Sequence, residues 1–204
     1  RKGGVEERYN LSDALAIATY LHGFIRNCRT VRIANFAQLV NAIAPIFTSP
    51  RGLFLQTIYH PLRLYAEHMR AMALDLHVES PTYDLPPGAE DPGVGRVHHV
   101  AALGPFPLLD AVATCDEDGR QLTLAVVNRD RDAAHSAVIE LVGAAATGGS
   151  VLSEVNGPEV GAMNSFEHPR VVDVKDRKLD VSGRQFEYKF PAHSVTVLRT
   201  TLTR

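Results

Sequence analysis

The stretch of sequence that decides the fold spans residues 35–61 and reads NFAQLVNAIAPIFTSPRGLFLQTIYHP. Its pattern predicts a short helix, a buried strand, a polar loop and then a helix that begins at Pro61. The predicted strand is residues 43–47, because a short and uniformly apolar run is typical of a parallel strand covered on both faces. Pro61 suits the first turn of a helix, where its missing N–H had no partner to lose.

The loop after this strand is the first place to look for chemistry. In an α/β barrel the loops that follow the strands form the active site. The loop here carries five polar or aromatic side chains, which are Thr48, Arg51, Gln56, Thr57 and Tyr59. A generic strand–loop–helix unit without chemistry has the same pattern, so the loop alone does not define a function.

Helical periodicity is present on both sides of this stretch. Ser12 is the predicted N-cap of a first helix that ends near Cys28, and Asp13 in its first turn suits the helix dipole. The helix is apolar over a wide face, which predicts packing against a sheet and neighbouring helices at once. A second amphipathic helix is predicted after Pro61, with its apolar face at Leu62, Tyr65, Ala66, Met69 and Ala73.

The second half of the chain has a different pattern. Proline and glycine crowd residues 78–95, which predicts a long connection. Beyond residue 96 the alternation of apolar residues predicts strands, with Asp118-Gly119 as the turn of the first hairpin. The predicted strands are residues 109–115, 122–126, 137–142, 150–155, 171–174, 185–190 and 194–198. Short strands at this spacing indicate an antiparallel sandwich. The fold class is therefore α/β plus all-β, with an α/β unit over residues 1–77, a connection over 78–95 and an all-β unit over 96–204.

Length, charge and cysteine content limit the function classes. The 204 residues allow one large domain or two small ones, and the formal net charge is −2 without a basic tract. We therefore expect neither nucleic acid nor a membrane as a partner, and no apolar run reaches membrane-spanning length. Cys28 and Cys115 are typical of small core residues in a reducing compartment, with a single disulfide as the open alternative. A chain that begins at Arg1 in a polar stretch is expected to be a piece of a longer protein.

The sequence lacks the motifs of a self-contained hydrolase. It has no Gly-x-Ser-x-Gly, no His-Glu-x-x-His and no glycine-rich phosphate loop. The acidic pair at residues 6–7 lies in a polar stretch that is typical of a solvated loop. His60 and His68 are predicted to be solvated or capping groups, and the adjacent histidines at 98–99 would point to opposite faces of a strand. We expect no metal and no cofactor.

Six blocks of sequence occur in the order found in a known enzyme family. They are residues 10–15 (Asn-Leu-x-Asp-Ala-Leu), 34–46 (Ala-Asn-x-Ala-Gln-x-Val-Asn-x-Ile-Ala-Pro-Ile), 56–61 (Gln-Thr-Ile-Tyr-x-Pro), 80–83 (Ser-Pro-Thr-Tyr), 124–129 (Leu-Ala-Val-Val-Asn-Arg) and 191–198 (Pro-x-His-Ser-Val-Thr-Val-Leu). Over essentially its whole length the chain resembles the C-terminal third of the α-L-arabinofuranosidases of glycoside hydrolase family 51. The resemblance implies the C-terminal remnant of a (β/α)8 barrel that closes near residue 76, followed by an antiparallel jelly-roll-like β-sandwich.

The same resemblance implies an exo-acting cytoplasmic enzyme that removes terminal arabinofuranosyl groups from arabinan or arabinoxylan fragments. Family members retain configuration by means of two glutamates, an acid/base and a nucleophile, about 5 Å apart. The family's Asn-Glu and Asp-Glu-Trp blocks are missing, and the chain contains no tryptophan. Both catalytic glutamates are therefore expected upstream of Arg1, and this chain alone is expected to be inactive. We also expect a homo-oligomer or association with the upstream barrel segment.

One residue of the family's sugar site is carried over by the resemblance. Gln56 matches the glutamine that reaches the furanose in the non-reducing-end subsite, and its amide can donate to and accept from sugar hydroxyls. The preceding Phe54 and Leu55 depart from the aromatic and basic residues of some family members. Other polar side chains are expected to make hydrogen bonds within the fold, and these are Asn35, Gln38, Asn41 and His193.

The competing function is a non-catalytic carbohydrate-binding or interaction module formed by the sandwich. A sugar-binding face usually presents an aromatic platform. The chain has no tryptophan, and the remaining aromatic candidates are explained as strand core, namely Phe166, Phe186, Tyr188 and Phe190. Release of arabinose separates the two functions.

Overall fold

The computed structural model describes residues 6–85 and 104–203. These residues form two helices, α1 (Leu11–Arg26) and α2 (Tyr59–His68). Their strands are β1 (Ile46–Ser49), β2 (Gly52–Leu55), β3 (Met72–Ala73), β4 (Thr82–Tyr83), β5 (Phe106–Pro107), β6 (Leu109–Cys115), β7 (Gln121–Asn128), β8 (His135–Glu140), β9 (Ala145–Thr147), β10 (Ser150–Asn156), β11 (Asp173–Leu179), β12 (Ser182–Gly183), β13 (Gln185–Phe190) and β14 (Ser194–Thr203). The histidine pair at 98–99 and the predicted boundary at residue 96 lie outside the described residues.

Helix α1 begins two residues before its predicted start. Its N-cap is Asn10, whose side-chain oxygen accepts from the Asp13 N–H at 3.2 Å while the Asp13 carboxylate accepts from the Asn10 N–H at 2.8 Å. This reciprocal pair is a capping box and satisfies two N–H groups at the helix start. The prediction of Ser12 as N-cap is therefore wrong, although Asp13 does lie in the first turn.

The prediction of a parallel strand at residues 43–47 is wrong. The strand is β1, and it pairs antiparallel with β2 across a two-residue turn at Pro50 and Arg51, with Gly52 at φ +135°. Parallel pairing of this strand is limited to an isolated bridge between Val40 and Ile46. The predicted short helix before it is also wrong, since residues 31–40 form no helix and residues such as Gln38 have a positive φ that interrupts one.

Helix α2 is shorter than predicted at its carboxyl end. It begins at Tyr59, so Pro61 lies in the first turn as expected, and it ends at His68. The chain then forms β3, in which Ala73 pairs with Thr114 of β6. Ala73 is therefore part of the sheet and not of the apolar face of a helix.

The predicted antiparallel sheet is confirmed. The main sheet has the order β11-β10-β14-β7-β6-β3, and each neighbouring pair is antiparallel. The long strand β14 continues past β7 to pair with β9, which also pairs with β12. β8 and β13 form a separate antiparallel pair, as do β4 and β5. The turn between β6 and β7 lies at the predicted Asp118-Gly119, with Gly119 at φ +66°.

Both faces of the main sheet are covered. One face packs against the helices in a cluster that includes Leu11, Ala18, Leu64, Val112, Val127 and Val195. The other face packs against the β8–β13 pair through Leu124, Val126, Leu152, Leu198 and Phe190. The division into units 1–77 and 96–204 stays a prediction, and the helices of the first unit share a core with the strands of the second.

Neither helix is long and apolar enough to cross a membrane within residues 6–85 and 104–203. Cys28 is exposed beyond the end of α1, and Cys115 is buried in β6. No disulfide joins these two residues. The prediction of a small core residue is therefore confirmed for Cys115 and wrong for Cys28.

Candidate functional site

Gln56 follows β2 directly and is only 2% exposed. Its backbone N–H donates to the Pro45 carbonyl at 2.8 Å. Its side-chain Oε1 accepts from the Tyr9 N–H at 3.0 Å, and its Nε2 donates to the Ala44 carbonyl at 2.7 Å and the Glu7 carbonyl at 3.2 Å. The amide therefore ties the segment before α1 to the β1–β2 hairpin, with both of its N–H groups engaged.

Two further side chains strengthen the same junction. The Thr57 hydroxyl donates to the Asn10 carbonyl at 2.6 Å, and the Tyr9 hydroxyl donates to the Ile43 carbonyl at 3.1 Å. Burial raises the pKa of Tyr9, and the nearby carboxylates of Glu7 and Asp13 raise it further, so this phenol keeps its proton as a donor. We call this junction the Gln56 site; it consists of Tyr9, Asn10, Ile43, Gln56 and Thr57.

The other polar side chains of the predicted loop do not join this site. Thr48 lies on β1, where its N–H donates to the Asn41 side chain at 2.8 Å and its hydroxyl accepts from Asn41 Nδ2 at 3.1 Å. Arg51 is exposed in the hairpin turn, and Tyr59 begins α2. The prediction that Asn41 makes hydrogen bonds within the fold is confirmed. The sugar contact of Gln56 stays a prediction.

His193 has the role expected from the sequence. Its Nδ1 lies 2.6 Å from the Arg131 carbonyl, and its Nε2 lies 3.3 Å from the Gly157 carbonyl. The ring therefore links the turn before β14 to two other loops of the sheet. No group of three His, Cys, Asp or Glu side chains within the described ranges could hold a metal ion.

A buried ionic cluster, which the sequence analysis missed, lies between α1, α2 and β6. Its centre is the carboxylate of Asp110, which accepts from Arg129 at 2.9 Å and from Arg26. The same carboxylate is 3.1 Å from His22 Nδ1, and His22 Nε2 is 2.6 Å from the Tyr65 hydroxyl. We call these five residues the Asp110 cluster. Its sequence signal is His22 on the apolar face of α1 and a carboxylate in the middle of a buried strand.

The electrostatics of the Asp110 cluster indicate a neutral histidine. Burial lowers the pKa of His22, and the charges of Arg26 and Arg129 lower it further, so the pKa lies below its usual value despite the hydrogen bond and charge of Asp110, which raise it. Burial raises the pKa of Asp110, but the hydrogen bonds from His22 and Arg26 outweigh it and hold this pKa well below its usual range. Burial raises the pKa of Tyr65 well above its usual value. His22 Nδ1–H thus donates to Asp110, and Nε2 accepts from the Tyr65 hydroxyl. His22 is fully buried, and its bonds to Asp110 and Tyr65 join α1 to β6 and to α2.

This cluster makes stability depend on pH. His22 takes up a proton near pH 6.5 in the unfolded chain and resists protonation when folded, so its contribution is complete above that pH and is lost on acidification. We expect the urea midpoint of the complete protein that contains this chain to fall between pH 7.5 and 5.5. The urea midpoint of the His22→Gln variant is expected to fall less over that pH range, although it is already lower than that of the unsubstituted protein at pH 7.5.

The matched control is His77→Gln, because His77 is exposed and hydrogen-bonds only at the surface to Glu79. This variant is expected to follow the unsubstituted protein at both pH values. Burial also lowers the pKa of His60 and of His68, so part of the pH dependence remains in His22→Gln. If the urea midpoint of His22→Gln falls between pH 7.5 and 5.5 by as much as that of the unsubstituted protein, the assignment of a neutral histidine is contradicted.

Residues 1–194 match the family described as alpha-L-arabinofuranosidase C-terminal domain, which is part of a class of carbohydrate-active enzymes. The chain belongs to this family and corresponds to the C-terminal part of an α-L-arabinofuranosidase of glycoside hydrolase family 51. The structure of the thermostable family 51 enzyme from Thermotoga petrophila RKU-1 is similar, with a TM-score of 0.80 and 33% identity over 96% of this chain and 39% of that chain.

Two relatives give the extent of the match. The probable alpha-L-arabinofuranosidase C of Aspergillus clavatus is 37% identical over 196 residues, which are 96% of this chain and 35% of that protein. The intracellular exo-alpha-(1->5)-L-arabinofuranosidase of Bifidobacterium longum is 34% identical over 140 residues, which are 68% of this chain and 22% of that protein. The chain thus spans about a third of the length of the Aspergillus relative.

Proposed function

We propose that the protein containing this chain is a retaining exo-α-L-arabinofuranosidase. Its substrates are arabinan or arabinoxylan fragments, from which it removes terminal arabinofuranosyl groups. The observation that supports this function most strongly is membership of the arabinofuranosidase family over residues 1–194. The Bifidobacterium longum relative, whose name describes an intracellular exo-acting enzyme, supports both the exo mode and a cytoplasmic location.

The bond-breaking groups in this proposal are two glutamates in the part of the protein that precedes this chain. One protonates the leaving oxygen while the other attacks the anomeric carbon, and water then hydrolyses the glycosyl–enzyme intermediate. The absence of Asn-Glu and Asp-Glu-Trp blocks from the 204 residues supports this location. No metal or cofactor takes part in these steps, and no nucleic acid or membrane partner is proposed.

Residues 1–77 are proposed to complete a (β/α)8 barrel, and residues 96–204 are proposed as a jelly-roll-like sandwich. Large apolar side chains are exposed on α1, on the segment between α1 and β1, and on β2. Their exposure supports the proposal that a segment of the upstream barrel covers them. Tyr20 is 67% exposed, Ile33 77%, Leu39 64% and Leu53 62%, which is unusual for large apolar residues that lie near one another in sequence. A homo-oligomer is the other arrangement that covers such residues.

Gln56 is proposed to contact the arabinofuranosyl group. Both N–H groups of its amide donate to main-chain carbonyls. A sugar hydroxyl can therefore donate to the remaining lone pair of Oε1, or it can replace one of these carbonyls as the acceptor of an amide N–H. The resemblance of residues 56–61 to the family's glutamine block supports the contact. Because an amide does not titrate, its role is to orient the sugar and not to transfer a proton.

The structure favours this function over a sugar-binding module on the sandwich. Phe190 is 3% exposed, and Phe186 and Tyr188 pack with it against the main sheet. Phe166 packs edge-on against Phe54 with ring centroids 4.8 Å apart. Three of these rings pack in the core of the sandwich, and Phe166, which is 36% exposed, packs against the β1–β2 hairpin, so the four rings do not form a single open aromatic platform.

The test is hydrolysis of 4-nitrophenyl α-L-arabinofuranoside by the complete protein, with the anomer of the first product followed by proton NMR. We expect release of arabinose with retained configuration. An inverted product contradicts the two-step mechanism. No release of arabinose from the aryl substrate or from arabino-oligosaccharides, by a folded protein, contradicts the proposed function as a whole.

Replacement of Gln56 by alanine is expected to lower kcat/KM for the aryl arabinofuranoside by about 10- to 100-fold, mainly through KM. The expected loss corresponds to one or two buried polar groups left without partners. The matched control is Gln121→Ala, because Gln121 is exposed on β7 and its amide bonds only to Thr201 at 3.2 Å. Equal kinetic constants for the two variants contradict a role for Gln56 at the sugar.

A further inference from the structure

The connection between β10 and β11, residues 157–172, reaches from the main sheet to the start of α1. The Leu11 N–H donates to the Ala162 carbonyl at 2.9 Å, and the Ser12 N–H donates to the Val160 carbonyl at 3.0 Å. These are helix-start N–H groups that have no partner within the helix. The connection therefore acts as an external cap and holds the residues next to Tyr9 and Asn10 of the Gln56 site.

Asn164 of the same connection holds the other side of the site. It is 4% exposed, and its Nδ2 donates to the Leu55 carbonyl and to the Val172 carbonyl, each at 2.9 Å. Its Oδ1 accepts from the Val172 N–H at 2.8 Å. Leu55 is the residue before Gln56 and the last residue of β2. Asn164 thus fixes the point at which the chain leaves the hairpin and turns into Gln56.

The connection has little freedom to move away from the hairpin. Phe166 packs edge-on against Phe54 of β2 at 4.8 Å, and Phe54 stacks on Phe47 of β1 at 5.5 Å between ring centroids. At the beginning of the connection, a Cβ on Gly157 would lie 2.9 Å from Val172 Cγ2, so the two ends of the connection approach closely. Packing and hydrogen bonds therefore fix the same geometry.

We propose that Asn164 is a positioning residue for the sugar site, which couples the β-rich part of the chain to substrate binding. Asn164 bonds to the N–H and the carbonyl of Val172, at the end of its own connection, and to the carbonyl of the residue before Gln56, so it acts through Gln56 and does not touch the sugar. The proposal rests on the proposed function. Its physical basis is that one buried amide joins three main-chain groups that belong to two different parts of the fold.

A purely structural role for Asn164 is the alternative, and the chain offers a matched control for it. Asn128 is fully buried, and its Nδ2 donates to the carbonyls of Ala133, Phe190 and Pro191 at 2.8–3.2 Å. Its Oδ1 accepts from the Asp130 N–H at 2.9 Å. Asn128 therefore has the same kind of buried amide network, and its partners lie outside the Gln56 site.

The experiment compares Asn164→Ala and Asn128→Ala in the complete protein. The measurements are the thermal midpoint, kcat and KM for 4-nitrophenyl α-L-arabinofuranoside well below that midpoint, and backbone hydrogen exchange of residues 53–58. Both variants are expected to lose thermal stability. Only Asn164→Ala is expected to raise KM, by about tenfold for the loss of one buried hydrogen bond, and to accelerate exchange at residues 53–58.

A second variant keeps the test decisive if Asn164→Ala does not fold. Asn164→Asp keeps the shape and the acceptor for the Val172 N–H, and it places an oxygen against the Leu55 carbonyl. It is expected to show the same rise in KM and the same faster exchange. The proposal is overturned if Asn128→Ala raises KM equally, or if the Asn164 variants leave exchange at residues 53–58 unchanged. Absence of arabinofuranosidase activity in the unsubstituted protein overturns the proposed function instead. The hydrogen-exchange data then decide on their own whether Asn164 fixes the backbone at residues 53–58.

Discussion

Replacement of Asp110 by alanine is expected to lower the free energy of unfolding by about 3–5 kcal/mol. The Asp110 carboxylate is buried and accepts from Arg129 at 2.9 Å, from His22 at 3.1 Å and from Arg26. Its removal leaves the Arg129 guanidinium, whose side chain is 16% exposed, without its carboxylate partner. It also removes the bonds from His22 and Arg26 of α1 to Asp110 of β6, and leaves the bond from Arg26 to the Ala111 carbonyl as the remaining polar contact described between these elements.

The measurement is urea unfolding of the complete protein at pH 7.5, followed by far-ultraviolet circular dichroism. The matched control is Asp132→Ala, because the Asp132 side chain is 87% exposed and lies 3.9 Å from Arg131, whose side chain is 76% exposed. Surface pairs of this kind contribute about 0–1 kcal/mol. If the two variants unfold at the same urea concentration, the Asp110 cluster does not stabilise the fold.

The cluster also sets the behaviour of the protein in acid. Because the pKa of Asp110 lies below its usual range, its contribution is fully present above about pH 4 and is lost only as the pH falls further. The difference in stability between the unsubstituted protein and Asp110→Ala is therefore expected to shrink below pH 4. Near neutral pH the contribution of the Asp110 carboxylate to this stability difference does not change with pH.

The 204-residue chain by itself is expected to release no arabinose from 4-nitrophenyl α-L-arabinofuranoside, at concentrations where the complete protein gives easily measured turnover. The expected loss is the whole of the catalysis, because the proposed acid/base and nucleophile belong to the preceding part of the protein. The assay compares the chain alone with the chain co-produced with that preceding part. Turnover by the chain alone contradicts the upstream location of the glutamates.

The same preparation tests the exposed apolar side chains. Tyr20, Ile33 and Leu39 are each more than 60% exposed, so the chain alone is expected to aggregate, while co-production with the preceding part is expected to keep it in solution. Ala44 and Phe47 near the same hairpin are already buried within the chain and need no such cover. Sedimentation of the chain alone as a clean monomer is the contrary result.

Elements with a strong local sequence signal were predicted correctly. Strands β6 and β7 were predicted because apolar alternation is interrupted by Asp118-Gly119, a dipeptide that favours hairpin turns. Strand β14 was predicted from a similar alternation, although it extends five residues beyond the predicted end. Helix α1 was predicted from its period; its N-cap was misplaced by two residues, and it ends at Arg26 instead of near Cys28.

The errors arose where a short apolar run allows more than one partner. Residues 43–47 suit a parallel strand as well as one arm of a hairpin, because periodicity does not distinguish the two over five residues. The Ser49-Pro50-Arg51-Gly52 sequence and the apolar residues after it were the available signal for β2. A proline at the first position of a two-residue turn and a glycine directly after the turn indicate that the chain reverses at once.

The Asp110 cluster could not be predicted because its members are distant in sequence. Asp110 lies 88 residues from His22 and 84 from Arg26, and no local pattern relates them. A lone histidine on an apolar helix face indicates a buried partner without identifying it. Gln56 was selected only by the resemblance of its sequence block, and its three main-chain partners became evident only from the fold.

The core that α1 shares with the sheet restricts how family members could be recombined. A chimera that exchanged only the β-rich half, with its junction inside residues 78–95, would graft a new sheet surface beneath a foreign helix. Leu11, Ala14 and Ala18 would then meet side chains that did not evolve with them. A chimera whose junction lies ahead of Asn10 transfers α1 together with the sheet and keeps the interface between them intact.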